Sequence, residues 1–428
     1  MTKMHLKTLG FKNARTQANL TESEKARLFS SKSPCIEVAT FHVDRPQQFF
    51  LRSVDEIKDF FQKDFLESTC DAIIVLRQSS SWGHFYATSD MFQDMFATLD
   101  IFPDFLDFLR GFGFKMRSED ENFGGYREKP SARSFDFLTI CEEFMYNLRY
   151  AAKHGRQRRN PWAIRHMAIY HRFNLNTQSS LWILLQPSED SYNDLKKLYH
   201  DTDCRGQSGH RGLLHELFFW DVEGNWREYI NYLQKELLVL EDKALLSRVG
   251  QKSKVDYELA FADCQDVQSL RNMMQKCRAG VKITQEAVAG FEWFLNNSRA
   301  DKEANMDQSF FRSYNSLLRN HCQSIEDLLE SSRGISQILF EILRYRNDET
   351  LIGVNNALRS NGEDMKIIAG ATKDENEKVT SILAETRKDS HLMKILTFVA
   401  MIYLPATLIA QPSTARLRTK HHIFSWKR

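Results

Sequence analysis

Two patterns of apolar positions divide the chain. Between Cys35 and about Asp221 the apolar residues come in short runs. "CIEVATFHV" and "DAIIVLRQ" are rich in β-branched residues and bounded by polar ones, which predicts strands. "DEIKDFFQKDFLE" and "TSDMFQDMFATLD" place apolar residues at helical spacing. "FPDFLDFLRGFGF" follows, with Pro103 as a helix-start signal and Gly111 as a stop. "WAIRHMAIYHRFN" and "SSLWILLQPS" predict two further strands, with "NTQ" as the turn between them. These elements imply an α/β domain over residues 35–221, with "RSEDENFGGYREKPSARS" and "KHGRQRRNP" as polar connections inside it.

From about Asn225 the apolar positions fall into alternating steps of three and four. Trp226, Ile230, Leu233, Leu237 and Leu240 form one stripe. Val267, Leu270, Met274, Cys277, Val281, Val288, Phe291 and Leu295 form a second, with polar Thr284 in one slot. Leu318, Ile325, Leu328, Ile335, Leu339 and Ile342 begin a third, carried on more weakly by Val354, Leu358, Met365, Ile368, Val379 and Leu383. A repeat of about 3.5 residues predicts long helices packed side by side. No proline occurs between Pro187 and Pro405, so nothing forces these helices to end. Turns are expected at "RVGQKSKVD" and "NNSRADKEANMDQS", and a local irregularity or break at "LRSNGEDMK". The implied helical stalk covers 222–394.

The stalk leads into Ile395–Ala410, a run of 16 residues without a charge. A bilayer core needs roughly 17–25 apolar residues, so the length is borderline and a buried core helix competes. Two features favour a membrane helix over 395–410. Every face of the segment is apolar or weakly polar, and the preceding "EKVTSILAETRKDSHLMK" contains no helix breaker. Its weakly polar positions form one line. Ser390, Met393, Thr397, Ala400, Leu404 and Thr407 follow steps of three and four. In a ring of helices this line suits a water-filled path, with threonine hydroxyls holding a cation's water shell and Met393 and Leu404 as apolar constrictions. Ordinary helix–helix packing also uses small and hydroxyl residues and remains the other reading. Pro405 removes one backbone hydrogen bond and predicts a kink.

Composition narrows the class. Hydrophobic content is 42% and charged content 27%, which excludes wholesale disorder, and a formal charge of +2 points to no nucleic-acid partner. The first 34 residues read as a tail, with Lys3, Lys7, Lys12 and Arg15 and no acid before Glu22. They read either as a disordered basic tail or as a weak organelle-targeting signal. The seven cysteines are scattered without a CxxC pair and are expected as reduced, mostly buried thiols.

"LMKILTFVAMIYLPATLIA" resembles the first membrane helix of the CorA family of divalent-cation transporters, which ends "P-x-T-F-I-A-G-x-x-G-M-N". Lys394 through Ala410 follow that consensus almost position by position, including Pro405, Thr407 and Ala410. "IFPDFLDFLRGFG" and "SSLWILLQPS" are similar to stretches of the CorA-like proteins of filamentous fungi. The resemblance implies an α+β/α architecture: an α/β cytosolic domain, a long helical stalk and a membrane helix. It implies an integral membrane homo-oligomer, a pentamer with a central pore. The protein would be a transporter and not an enzyme, without a prosthetic group, with magnesium or a similar divalent cation as transported and regulatory ion. The family's pore-facing positions fall on Ser390, Met393, Thr397, Ala400, Leu404 and Thr407, the same line that the spacing picks out.

The resemblance stops after Ala410. "QPSTARLRT" stands where the family has Gly-x-x-Gly-Met-Asn, and no second apolar run follows. The tail over 411–428 carries Arg416, Arg418, Lys420, Lys427 and Arg428 and no acid, which conflicts with a single span whose stalk is cytosolic. The expectation is a truncated product that does not itself conduct. The alternatives are a short form assembling with complete subunits, and a non-transporting helical scaffold or regulatory subunit anchored at a membrane. Elsewhere the chemistry is thin. "HGRQRRNP" reads as a solvated loop, and "HRGLLHE" spaces His210 and His215 wrongly for one helix face. "HDTDC" offers His200, Asp201, Asp203 and Cys204 as a weak metal candidate. No catalytic arrangement is legible, and no metal ligand is assigned.

Overall fold

The computed structural model describes residues 19–41, 46–61, 71–117, 123–129, 141–157, 160–200, 211–247, 259–297 and 308–409. The chain divides into two compact units, residues 1–343 and 344–428.

The first unit is a sheet covered on both faces. Its strands are β1 (Ile36–Phe41), β2 (Pro46–Leu51), β3 (Asp71–Leu76), β4 (Tyr126–Glu128), β5 (Cys141–Lys153), β6 (Trp162–Asn174) and β7 (Ser179–Leu185). They lie in the order β2-β1-β3-β7-β6-β5-β4. β3 and β7 are parallel, and the other neighbouring pairs are antiparallel. The strands alternate along most of their length. Phe144, Tyr146, Leu148, Ile169, Trp182 and Leu184 enter one core, whereas Met145, Ala168, Tyr170, Leu181, Ile183 and Leu185 enter the other. A period of two with both faces buried is what a sheet between two helical layers requires.

One layer consists of α1 (Glu22–Leu28), α2 (Val54–Asp59), α3 (Ser89–Thr98) and α4 (Phe105–Arg110). The opposite face carries α5 (Glu189–His200), α6 (Arg211–Glu223), α7 (Trp226–Leu246), α8 (Phe261–Asn297) and the start of α9 (Gln308–Ile409). The stripes read from the sequence are the buried faces of α7, α8 and the first part of α9, down to Ile342. These helices therefore do not stand apart from the α/β domain at residue 222. They share one core with its sheet, and the unit ends at Leu343.

Three other expectations change. The tail assigned to residues 1–34 is folded from Asn19, and residues 1–18 lie outside the described residues. Leu20, Leu28 and Phe29 are buried, and a capping box between Thr21 and Glu24 starts α1. "LRSNGEDMK" does not break α9, because one Asn-Gly step costs a helix about 1 kcal/mol and leaves the hydrogen-bond ladder intact. The expected turn "RVGQKSKVD" lies outside the described residues, in the chain between α7 and α8.

The second unit is the distal part of α9. From Asn347 to Val399 every residue is exposed, including Val354, Leu358, Met365, Ile368, Val379 and Leu383.

Candidate functional site

The candidate ion pathway lies on this distal helix. Its backbone is helical through Ile409, so all six expected positions fall on one continuous helix. At 3.6 residues per turn, Ser390, Met393, Thr397, Ala400, Leu404 and Thr407 fit within an arc of about 100°. Ser390, Met393 and Thr397 are exposed and Ala400 is half-buried. The side chains of Leu404, Pro405 and Thr407 lie outside the described residues, as does the tail over 411–428. The helical backbone runs on through Pro405. Among the described residues, no helix is long and apolar enough to cross a membrane. The segment expected to span, 395–410, is described with its side chains only as far as Tyr403.

The Thr397 hydroxyl donates to the Met393 carbonyl at 2.6 Å. That bond uses its only proton and turns its lone pairs away from the backbone. Waters around a cation point their hydrogens outward, so a path for a hydrated ion needs acceptors, and a back-bonded threonine supplies them. Thr372 donates likewise to the Ile368 carbonyl at 2.8 Å, and Thr386 to the Ile382 carbonyl at 2.7 Å. Both lie within about 40° of Ser390 on the helical wheel and extend the line. The sequence pattern carries these two threonines at the same spacing. They lie in a charged stretch before the apolar run, where a weakly polar line does not stand out from the sequence.

The other candidates resolve separately. His215 is a core residue: its Nδ1 lies 2.6 Å from the Tyr146 hydroxyl and its Nε2 3.0 Å from His171 Nδ1. His210, Asp201, Asp203 and Cys204 lie outside the described residues, as does the His200 side chain. "HGRQRRNP" forms the connection between β5 and β6, where His154 Nε2 meets the Asn160 carbonyl at 2.9 Å. Among the described residues no group of three or more His, Cys, Asp or Glu is placed to hold a metal ion. Cys35, Cys141, Cys264, Cys277 and Cys322 are free thiols, and burial pushes the Cys277 thiol well up.

A family model of CorA-like transporters matches residues 3–245. None of the curated proteins matches the chain. Among solved structures, the cytoplasmic domain of ZntB from Vibrio parahaemolyticus is similar at 10% identity and a TM-score of 0.40, covering 74% of this chain and 99% of that one. The full-length CmaX protein is similar at 8% identity and a TM-score of 0.45, covering 76% of this chain and 82% of that one. The complete CorA magnesium transporter from Methanocaldococcus jannaschii is similar at 10% identity and a TM-score of 0.35, covering 89% of this chain and 88% of that one. The family match spans more than half of the chain and takes in the whole sheet with α1 to α6 and nearly all of α7. The chain belongs to the family of CorA-like transporters, which are membrane transport proteins and not enzymes.

Proposed function

We propose that the chain is a subunit of a homo-oligomeric divalent-cation transport protein, with magnesium as the first candidate ion. Helices from several copies would surround a path lined by Ser390, Met393, Thr397, Ala400, Leu404 and Thr407, with 395–410 in the membrane. Hydrated cations would move passively down their gradient. The observation that carries this reading is the line of weakly polar positions on α9 in a chain of this family, with the Thr397 hydroxyl bonded back to the helix and its lone pairs outward. A hydroxyl acceptor at Thr397, inside a run of 16 residues without a charge, suits an ion that keeps its water.

The test, which also decides between conduction and the non-conducting product expected from the missing Gly-Met-Asn motif, is magnesium entry into liposomes holding the purified full chain and a magnesium-sensitive dye. Entry is expected to follow the ion gradient, and Thr397→Val is expected to slow it about tenfold, as loss of a polar partner to a charged group does. Phe398→Leu, one step off the line, is expected to leave the rate unchanged. Protein that inserts in the bilayer yet passes no magnesium, manganese, cobalt or zinc refutes conduction by this chain and leaves the membrane-anchored scaffold.

A further inference from the structure

Charge is uneven along the chain. The formal charge is +2 overall, yet residues 387–428 hold eight Lys or Arg and one acid, Asp389. What precedes them is therefore net acidic. A basic end on an otherwise acidic chain points to a polyanionic surface. Five of the eight bases lie in the tail over 411–428, outside the described residues. The other three, Arg387, Lys388 and Lys394, sit on α9 immediately before the uncharged run that begins at Ile395.

These three are exposed, and among the described residues they make neither an ion pair nor a hydrogen bond. Two other bases of α9 pair with acids one turn away, Arg333 with Glu330 and Arg359 with Glu363. No acid stands three or four residues from Arg387 or Lys394. At about 100° per residue, Arg387, Lys388 and Lys394 fall within an arc of about 120°, and His391 lies inside it. Glu385 and Asp389 fall outside that arc. The weakly polar line from Ser390 to Thr407 is centred about 150° away from it. A helix that turns this line toward a path therefore turns its bases away from the path.

A solvated helix face would be served by bases paired with acids on neighbouring turns. Here the bases are unpaired, one-sided and continuous with an apolar run. At about 1.5 Å per residue, Ile395–Ala410 rises about 24 Å, and a hydrocarbon core is about 30 Å thick. A segment that is too short is accommodated when flanking Lys and Arg side chains carry their charges outward to the headgroups. Lys394 stands where that must happen, and Arg387 follows two turns earlier, about 10 Å along the axis. We propose that Arg387, Lys388 and Lys394 bind the headgroups of anionic phospholipids where α9 enters the membrane. The proposal rests on the transport reading, which sets 395–410 in the membrane.

The full chain is reconstituted into phosphatidylcholine vesicles. Its contact with trace spin-labelled phosphatidylserine, or with spin-labelled phosphatidylcholine, is read from the motionally restricted part of the electron spin resonance spectrum. Phosphatidylserine is expected to be preferred about fivefold or more, the factor that one base near an anionic surface supplies. Added sodium chloride is expected to weaken that preference. Joint substitution of Arg387→Gln, Lys388→Gln and Lys394→Gln is expected to bring the two lipids close to parity. Lys378→Gln, about 25 Å from Ile395 along the helix, is expected to change nothing. A preference that survives the triple substitution at full strength belongs to the tail over 411–428 and overturns the proposal. Insertion without any preference overturns it too, while the transport reading stands. A chain that stays out of the vesicles altogether overturns both.

Discussion

A buried hydrogen-bonded chain joins the sheet to α6. Tyr146 meets His215 at 2.6 Å, His215 meets His171 at 3.0 Å, and His171 Nε2 meets the Ser180 hydroxyl at 3.2 Å. Protons ordered from the Tyr146 hydroxyl through both rings to Ser180 satisfy the whole run with both imidazoles neutral. Trp182 stacks on His171 at 3.9 Å, and Phe291 lies 4.4 Å from the His215 ring centroid, so no water reaches these groups. His215→Phe keeps the ring contacts but removes the hydrogen bonds to the Tyr146 hydroxyl and to His171 Nδ1. Unsatisfied buried groups cost about 1–3 kcal/mol each, so a loss of about 2–6 kcal/mol is expected in urea unfolding. The Ser180 amide donates to Asp71 Oδ1 at 2.6 Å, yet burial still pushes the Asp71 carboxyl up to about 6. The sign follows from proton counts. Between the unfolded value of 3.8 and the folded value of about 6, the native state holds a proton that the unfolded chain has released. This residue's contribution is therefore fully present below the unfolded value and is lost as pH rises through about 6, by at most about 3 kcal/mol. Asp71→Asn keeps the acceptor and removes the titration. Its urea midpoint is expected to exceed that of the wild-type chain at pH 7.5 and to match it near pH 4; equal offsets at both pH values refute this account. His166 acts in the opposite direction. Its folded value is depressed, so stability is present above the unfolded value of 6.5 and falls as pH drops toward the folded one.

Elements meet most closely where side chains are missing. A Cβ on Gly290 of α8 would lie 2.2 Å from the Tyr126 ring of β4, so the helix reaches the edge strand only because that position is bare. Two effects oppose each other in Gly290→Ala. Helix propensity favours alanine by about 1 kcal/mol, but forcing a methyl into packed atoms costs about 1–3 kcal/mol. The clash outweighs the propensity, and a net loss is expected. Gly334 of α9 is the control, because nothing lies within 4 Å of its Cβ position. There Gly334→Ala is expected to raise the thermal midpoint, and a midpoint that moves the same way in both variants refutes the packing argument. These contacts mark the limit of what the sequence shows. The strands at 36–41, 71–76, 162–174 and 179–185 are legible because their apolar runs are short, β-branched and bounded by polar residues. β5, which pairs with β6 along 13 residues, is not among the predicted strands although Phe144, Tyr146, Leu148 and Tyr150 alternate within it. Glu143, Asn147 and Arg149 occupy the intervening positions, and all three are buried. Polar residues that are buried by hydrogen bonds and ion pairs disguise a two-sided strand as a surface segment. α1 escaped for the reverse reason: only Leu28 of its seven residues is buried, so it carries almost no periodic signal, and its capping box was the mark to find.

At the scale of the molecule, the same 3.5-residue pattern has two fates. Up to Ile342 it is a core, filled by the sheet and by neighbouring helices. Beyond Arg344 the pattern continues, but its side chains are exposed: Leu351 at 52%, Leu358 at 62%, Met365 at 71%. Periodicity reports that a helix needs a partner and not whether that partner belongs to the same chain. The stripe was therefore legible, whereas the place where intramolecular packing ends was not. The candidate pathway shares this limit, since spacing selects one face of α9 and leaves open what the face meets. A long helix with contiguous apolar positions draws its stability from tertiary partners, and exposed apolar patches of this extent mark interaction surfaces. Other copies of α9 are the partners that the transport reading supplies. The full chain is thus expected to associate in detergent, and a fragment ending at Leu343 to be monomeric by light scattering. The fragment retains both cores, so its thermal midpoint should stay within about 2 °C of the full chain's, the shift that about 1 kcal/mol produces in a unit of this size. If the fragment associates as strongly as the full chain, the contacts between copies lie on the sheet domain, and the exposed face of α9 requires a different occupant.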